Sequence, residues 1–402
     1  MDPFESSLLA ELSSLEAQGL RRSLRVLEHA ERSEQSDRGL SGRPEVSAGA
    51  RITVAGQPLA NFSSNDYLGL ASHPAVASAM SEAASRWGTG STASRLICGT
   101  TAEHLALEEE LAAAKGTEAA LVFSTGVAAA TGTIPTLVGR GDVVILDKLA
   151  HACLIDGVHA SGAKMRVFPH NDLAKLASRL AWAKATHPEG RVMIVTESIF
   201  SMDGDLAPLR EIVELKERHG AILFLDEAHA VGVRGHGAQG LAGELGLGDR
   251  IEVQMGTLGK ALGVSGGYIA GSRTLIDFLV NKARSFIFST APSPAVAAAC
   301  RAALRIVQSV EGEALRARLQ ENLRLLSAGL NMAVPPSAIM PLILGNEERA
   351  MAETERLLME GFFVPAIRYP TVARNSARLR VTVSAAHSAD QVRALCEALR
   401  LS

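Results

Sequence analysis

The chain has 402 residues, 47% of them apolar and 21% charged, enough for one large and one small domain or for two to three average ones. Its net charge of −3 offers no basic surface of the kind nucleic acid demands. No run of 18 uncharged apolar residues is present, which argues against a membrane span.

The first 22 residues carry Asp2, Glu5, Glu11 and Glu16, without the positive start and apolar stretch of a secretion signal. Leucines at 8, 9, 12, 15, 20, 24 and 27 predict an amphipathic helix over 7–30. The polar, Gly- and Pro-bearing stretch 31–50 reads as a linker. From about 102 to 272, apolar runs at 119–123, 143–146, 165–168, 192–196, 221–225, 251–255 and 267–270 alternate with helical stretches. Most of these runs lack in–out alternation, so they suit strands buried on both faces of a mostly parallel sheet. In such α/β architectures, sites gather at the carboxyl ends of the strands. Beyond 295 a long helical stretch (295–330), short strands at 339–344 and 378–383 and a last helix over 390–401 predict a smaller α+β domain. The expected organisation is an N-terminal helix and linker (1–60), a large domain (61–294) and a small C-terminal domain (295–402). Cys98, Cys153, Cys300 and Cys396 are far apart and show no metal-ligand spacing, so no metal is expected and a reduced, cytoplasmic setting fits.

Three strand ends carry polar residues suited to a phosphorylated pyridine. In Phe224-Leu225-Asp226-Glu227-Ala228-His229, a carboxylate closes a buried strand, a costly position without a cationic partner. A protonated pyridine nitrogen is such a partner and turns the ring into an electron sink. His229 can reach the ring hydroxyl, although an Asp capping the next helix beside a loop His also fits. In Met255-Gly256-Thr257-Leu258-Gly259-Lys260-Ala261-Leu262-Gly263, a lysine among small and apolar residues loses hydration, which frees its amine to attack carbonyls. Thr257 stands one turn earlier, within reach of a phosphate; a surface lysine in a Gly-rich loop is the alternative. Phe123-Ser124-Thr125-Gly126-Val127 reads as strand, turn and helix start, an anion site made of backbone N–H groups. Gly88-Thr89-Gly90-Ser91-Thr92 lacks the spacing of a dinucleotide loop. Asp226 precedes Lys260 by 34 residues, about one strand–helix–strand step, which lets both reach one crevice.

With Asn61-Phe-Ser-Ser-Asn-Asp-Tyr-Leu-Gly-Leu70, 197–204, 226–232, 256–263 and 366–372, the chain resembles the α-oxoamine synthases of PLP-dependent (pyridoxal 5′-phosphate) fold type I, the aspartate-aminotransferase-like architecture. The likeness runs from about residue 15 to the C-terminus. It implies an acyltransferase that condenses an amino acid with an acyl thioester and releases CO2. It further implies that Lys260 carries PLP as a Schiff base and moves the α-proton, that Asp226 pairs with the ring nitrogen and His229 with the ring oxygen, and that His151 stacks on the ring. Ser201, Thr257 and the turn Thr125-Gly126-Val127 would hold the phosphate. Ser289 and Thr290 would reach a neighbouring subunit's phosphate in a homodimer. Arg380 would grip the amino acid carboxylate, with Asn65 near it. Arg22, Arg368 and Thr371 look like the acyl-chain end of the branch that joins L-alanine to pimeloyl-CoA or a pimeloyl-carrier protein in biotin biosynthesis. A sibling using glycine with acetyl-CoA or another acyl-CoA is the alternative. Many members of that branch read Asp-Asp-Ala-His where this chain has Asp226-Glu227-Ala228-His229.

Overall fold

The computed structural model describes residues 2–22, 24–28 and 50–400. Its centre is a seven-stranded sheet in the spatial order Ala119–Phe123, Gly267–Gly271, Val253–Thr257, Ile222–Asp226, Val192–Glu197, Val143–Asp147, Lys164–Phe168. Only Gly267–Gly271 runs antiparallel to its neighbours; the neighbouring pairs from Val253–Thr257 outward are parallel. All seven strands fall on the predicted apolar runs. The four strands Ala119–Phe123, Val143–Asp147, Val192–Glu197 and Ile222–Asp226 are almost wholly buried, as helices on both faces require.

One face packs on Gly126–Leu137, Ala152–Ser161 and Arg273–Lys282 through Ile134, Leu154, Leu279 and Phe224. The other packs on Leu173–Thr186 and Leu209–His219 through Leu176, Leu180, Ile212 and Leu223. Each such fully buried aliphatic or aromatic side chain contributes about 1.5–3 kcal/mol relative to an exposed one. A third core joins Ala102–Lys115 to the C-terminal elements. There Ile339–Gly345, Ala377–Thr382 and Ala366–Ile367 form a small antiparallel sheet.

The structure departs from the sequence expectations at the N-terminus. The helix is Pro3–Ala17, capped by Asp2, whose Oδ1 accepts the Phe4 N–H at 3.2 Å. It stops well short of residue 30 because Gly19 takes a left-handed backbone (φ 64°), which glycine adopts without steric cost. Leu27–Glu28 is instead a short strand against Arg51–Val54. None of the helix's side chains is buried, so its leucine stripe finds no cover among the described residues. Residues 29–30 of the expected helix and 31–49 of the expected linker lie outside the described residues. Gln57–Asn61 runs parallel to Phe362–Phe363, which ties this N-terminal strand to the C-terminal part of the chain. The long helical stretch after 294 is two helices, Pro294–Val307 and Val310–Leu330, because Ser309 caps the second by accepting the Gly312 N–H.

Behind Asp226, Glu227 points into the core and pairs with Lys115 at the end of its helix, both fully buried. Lys115 Nζ also donates to the Gln239 carbonyl at 2.6 Å, and Glu227 Oε1 accepts the Ala242 N–H at 3.0 Å. Removing one partner of a buried pair strands the other charge, at about 3–5 kcal/mol. Lys115→Met is therefore expected to destabilise the protein by roughly that amount, and adding Glu227→Gln to recover much of it. Thermal melts of the three proteins check this; an unchanged melting temperature in the single variant refutes it.

Candidate active site

Five strands deliver side chains to one end of the central sheet: Phe123 leads into Thr125, Asp147 into His151, Glu197 into Ser201, Asp226 into His229, and Thr257 into Lys260. Parallel strands make this convergence, since all their carboxyl ends face the same way.

Lys260 Nζ lies 2.8 Å from His229 Nε2, and His229 Nδ1 lies 2.6 Å from the Tyr67 hydroxyl. Burial pushes the Lys260 amine below its ordinary range, while the Asp226 and Glu197 carboxyls pull it back up. Burial, helped by the charge of Lys260, drives His229 well below the usual imidazole value, so its ring is neutral and its two nitrogens divide into one donor and one acceptor. Tyr67 is pushed up to about 12 by burial and stays a phenol.

Asp226 is 4% exposed, and its Oδ1 accepts the Ala228 N–H at 2.8 Å. No lysine, arginine or histidine forms an ion pair with it among the described residues. Burial raises its carboxyl, against the opposing pull of Lys260. His151 caps the helix Ala152–Ser161: its Nδ1 accepts the Cys153 N–H at 3.2 Å, so the neutral ring carries its proton on Nε2. Its own N–H donates to Glu197 Oε1 at 2.7 Å.

Around this centre lie the phosphate candidates. Thr125 caps the helix Gly126–Leu137 by accepting the Ala128 N–H at 3.0 Å, and the start of that helix is open to solvent at Thr125 and Val127. Gly126 and Gly267 approach so closely that a Cβ on Gly267 would sit 2.6 Å from Gly126 Cα. Thr257 donates its hydroxyl proton to the Gly266 carbonyl at 3.0 Å and accepts the Gly259 N–H at 3.2 Å, so in this structure it shapes the Lys260 turn rather than offering a free donor. Ser201 presents its carbonyl to Arg380 Nε at 2.6 Å.

Arg380 is 7% exposed and has no carboxylate partner among the described residues; its two Nη atoms each donate to Asn65 Oδ1 at 3.2 Å. Its neighbour Arg378 is committed to Asp203 at 2.6 Å. Arg22 Nη2 donates to Thr371 Oγ1 at 3.4 Å on the protein surface, and the Arg368 carbonyl accepts the Thr371 N–H; no bond joins these three to Lys260 or Asp226 among the described residues. Ser289 and Thr290 stand apart: Thr290 is exposed and bridges Ser94. Two residues of the site, Tyr67 and Glu197, are not singled out by the sequence patterns. Tyr67 stands two positions after Asn65 in the same motif, and Glu197 closes a buried strand as Asp226 does.

The chain matches the aminotransferase class I and II family over residues 57–399. It is 47% identical over 401 residues to the 8-amino-7-oxononanoate synthase of Geobacter sulfurreducens, covering 98% of this chain and 97% of that protein. The enzyme of the same name from Methylococcus capsulatus is 47% identical over 355 residues, 87% and 90% of the two chains. The chain belongs to the α-oxoamine synthases of that family. Its fold is similar to that of serine palmitoyltransferase from S. paucimobilis, solved with PLP and myriocin (TM-score 0.89, 28% identity, 100% and 98% coverage). It is also similar to that of 8-amino-7-oxononanoate synthase from Francisella tularensis (TM-score 0.71, 27% identity, 85% and 98% coverage).

PLP is the cofactor of this family, and the residues present fit it. A buried acid lacks a cation, an amine is held with lowered basicity, and a glycine-lined helix start lies open beside both. A cationic ring nitrogen answers the first, a carbonyl the second and a phosphate the third. Among the described residues, no helix is long and apolar enough to cross a membrane, and no cluster of His, Cys, Asp and Glu is placed to hold a metal.

One cation braces the loops that carry His151 and Ser201. His170 lies 3.0 Å from Asp147 and 2.8 Å from Asp205. Burial alone lowers its pKa, but the two carboxylates more than reverse this and hold it at about 10. A folded value above the unfolded one stabilises fully below the ordinary imidazole pKa near 6.5 and fades as pH climbs towards 10. The melting-temperature gap between wild type and His170→Gln is therefore expected to be widest below pH 6.5 and to shrink up to pH 10. A gap independent of pH refutes this.

Proposed function

We propose that this chain catalyses the decarboxylative condensation of L-alanine with a pimeloyl thioester, giving 8-amino-7-oxononanoate, CO2 and the free thiol, a step of biotin biosynthesis. The observation that carries the reading is a pair of buried charges with no ion pair among the described residues: the Asp226 carboxylate near Lys260, and the Arg380 guanidinium of the small sheet, whose charge is felt at Lys260 and His229. End-to-end similarity to proteins named 8-amino-7-oxononanoate synthase supports the choice of substrates.

Bound PLP supplies the electron sink that stabilises negative charge at the amino acid's α-carbon. Asp226 holds the proton on the ring nitrogen, which keeps that sink charged. Lys260, its basicity lowered by burial, takes the α-proton of alanine and returns a proton after CO2 has left. Arg380, steadied by Asn65 and the Ser201 carbonyl, binds the alanine carboxylate through its planar fork. His151 presents an Nε2–H donor for oxygen atoms that gain charge as the acyl carbon is attacked. Across the reaction the bond from the α-carbon to the acyl carbon forms, the acyl–sulfur bond and the bond to the carboxylate break, and the thiolate leaves with a proton. Arg22, Arg368 and Thr371 lie at the outer edge, where the far carboxylate of a pimeloyl chain is met by guanidinium groups.

The acyl donor is carried on coenzyme A or on a carrier protein. The working unit in this reading is a homodimer, because Leu96, Ile97, Val127 and Phe288 are exposed large apolar side chains and the Ser94–Thr290 bridge joins the segments that carry three of them. Light scattering on the purified enzyme checks it: a single-chain particle at working concentration rules the dimer out.

Two measurements test the chemistry. With pimeloyl-CoA, release of thiol and CO2 is expected with L-alanine and to fall sharply with glycine; preference for glycine with acetyl-CoA transfers the protein to the sibling activity. Asp226→Asn should lower kcat by about ten- to a thousandfold, the worth of a counter-charge that shifts a neighbouring pKa by 1–3 units. Thr257→Ala, which loosens a turn, should cost far less. Equal losses in the two variants refute this account.

A further inference from the structure

Glu197 and Asp226 sit opposite each other in the register of two adjacent parallel strands, so their side chains leave the sheet on the same side. Both are buried, Glu197 at 2% exposure and Asp226 at 4%. Their interactions differ. Asp226 accepts a backbone N–H and faces Lys260, and it has the cofactor's ring nitrogen to meet. Glu197 accepts only the N–H of His151, at 2.7 Å, and has no ion pair among the described residues. The charged and titratable groups that face it are Asp226, Lys260, His151, Asp147 and the Cys153 thiol. Two carboxylates sharing one water-poor site do not both ionise. The proton goes to the one with the poorer cationic company.

We propose that Glu197 is a positioning residue that works as an uncharged carboxylic acid: its Oε1 fixes the backbone of His151, and its side chain adds no second anion beside Asp226. Burial, reinforced by the charge of Asp226, holds its carboxyl well above the ordinary range, and the opposing pull of Lys260 is the lesser effect. This rests on the cofactor reading above and deepens it: the ring nitrogen meets one full negative charge, and the basicity of the Lys260-bound cofactor is set by Asp226 without a contribution from Glu197.

Glu197→Gln keeps the shape and the acceptor but can never ionise. In the reconstituted holoenzyme, the midpoint of the pH titration of the cofactor's visible absorbance is expected to move by less than about 0.5 unit, with PLP affinity unchanged, because no neighbouring charge is lost. Had Glu197 been an anion, its neutralisation would lower that midpoint by about 1–3 units. Glu197→Leu removes the acceptor from the His151 N–H; kcat is expected to fall on the order of a hundredfold, the effect of a displacement near 1 Å, with Gln restoring it. A midpoint lowered by a unit or more in the Gln variant, or equal losses in Gln and Leu, overturns the proposal. Should a variant fail to fold, wild-type holoenzyme labelled with 13C-glutamate answers the question. A protonated glutamic acid C=O stretch at neutral pH supports the proposal, and its absence overturns it. Absence of any cofactor absorbance in the wild type would instead sink the PLP reading itself, so the two failures are distinguishable.

Discussion

A carboxylate at the end of a buried strand, with no ion pair among the described residues, is the constraint on which this structure turns. Removing Asp226 from water is unfavourable unless a positive charge answers it, and the protein leaves that charge to be brought in. The rest of the site follows from making this tolerable and useful. Lys260 is close enough to lower the carboxyl's cost yet forms no ion pair with it, and its amine is turned toward His229 instead. A lysine locked onto Asp226 would neutralise both groups and leave neither available.

The parallel sheet makes the arrangement possible. Asp147, Glu197, Asp226 and Thr257 end four neighbouring strands on one edge, so residues distant in sequence converge without any long excursion of the backbone. The C-terminal sheet supplies the other wall. Arg380 stands in Ala377–Thr382 and reaches the Ser201 carbonyl, while Gly204 packs where a Cβ would lie 2.5 Å from the Ile339 carbonyl. The left-handed backbone of Gly204 (φ 71°) and this close approach both exclude a side chain there, which lets the Ser201 loop lie flat against that sheet.

Much of this is legible in the sequence. The seven strands declare themselves because burial on both faces leaves apolar runs, and Lys260 and Asp226 stand out because a charged residue amid such runs needs a chemical reason. What is not legible depends on contacts across the fold. Thr257 looks like a phosphate donor, but its proton goes to Gly266, nine residues later, and no local pattern shows that. The helix expected to reach residue 30 stops at Ala17, because leucine spacing says nothing of the turn that Gly19 makes. Tyr67 reaches Lys260 through His229, far along the chain, as well as bonding Asn65 beside it. Thr290 is exposed and bridges Ser94, a pairing that no local pattern announces.

The glutamate at position 227 has a physical explanation here. Four acids crowd this end of the sheet, and each is handled differently. Asp147 is held by the imidazolium of His170, and Glu227 by the ammonium of Lys115. Glu197 has only a backbone N–H, and Asp226 awaits the cofactor. The longer arm of glutamate lets residue 227 turn into the core and meet Lys115, which answers its charge there, while the same charge still adds to the upward push on the Asp226 carboxyl. An aspartate at 227 is one methylene shorter and would leave the Lys115 ammonium short of its partner, so the glutamate and the lysine belong together. Of the three acids beside Asp226, two are thus answered by the protein's own cations, Asp147 by His170 and Glu227 by Lys115.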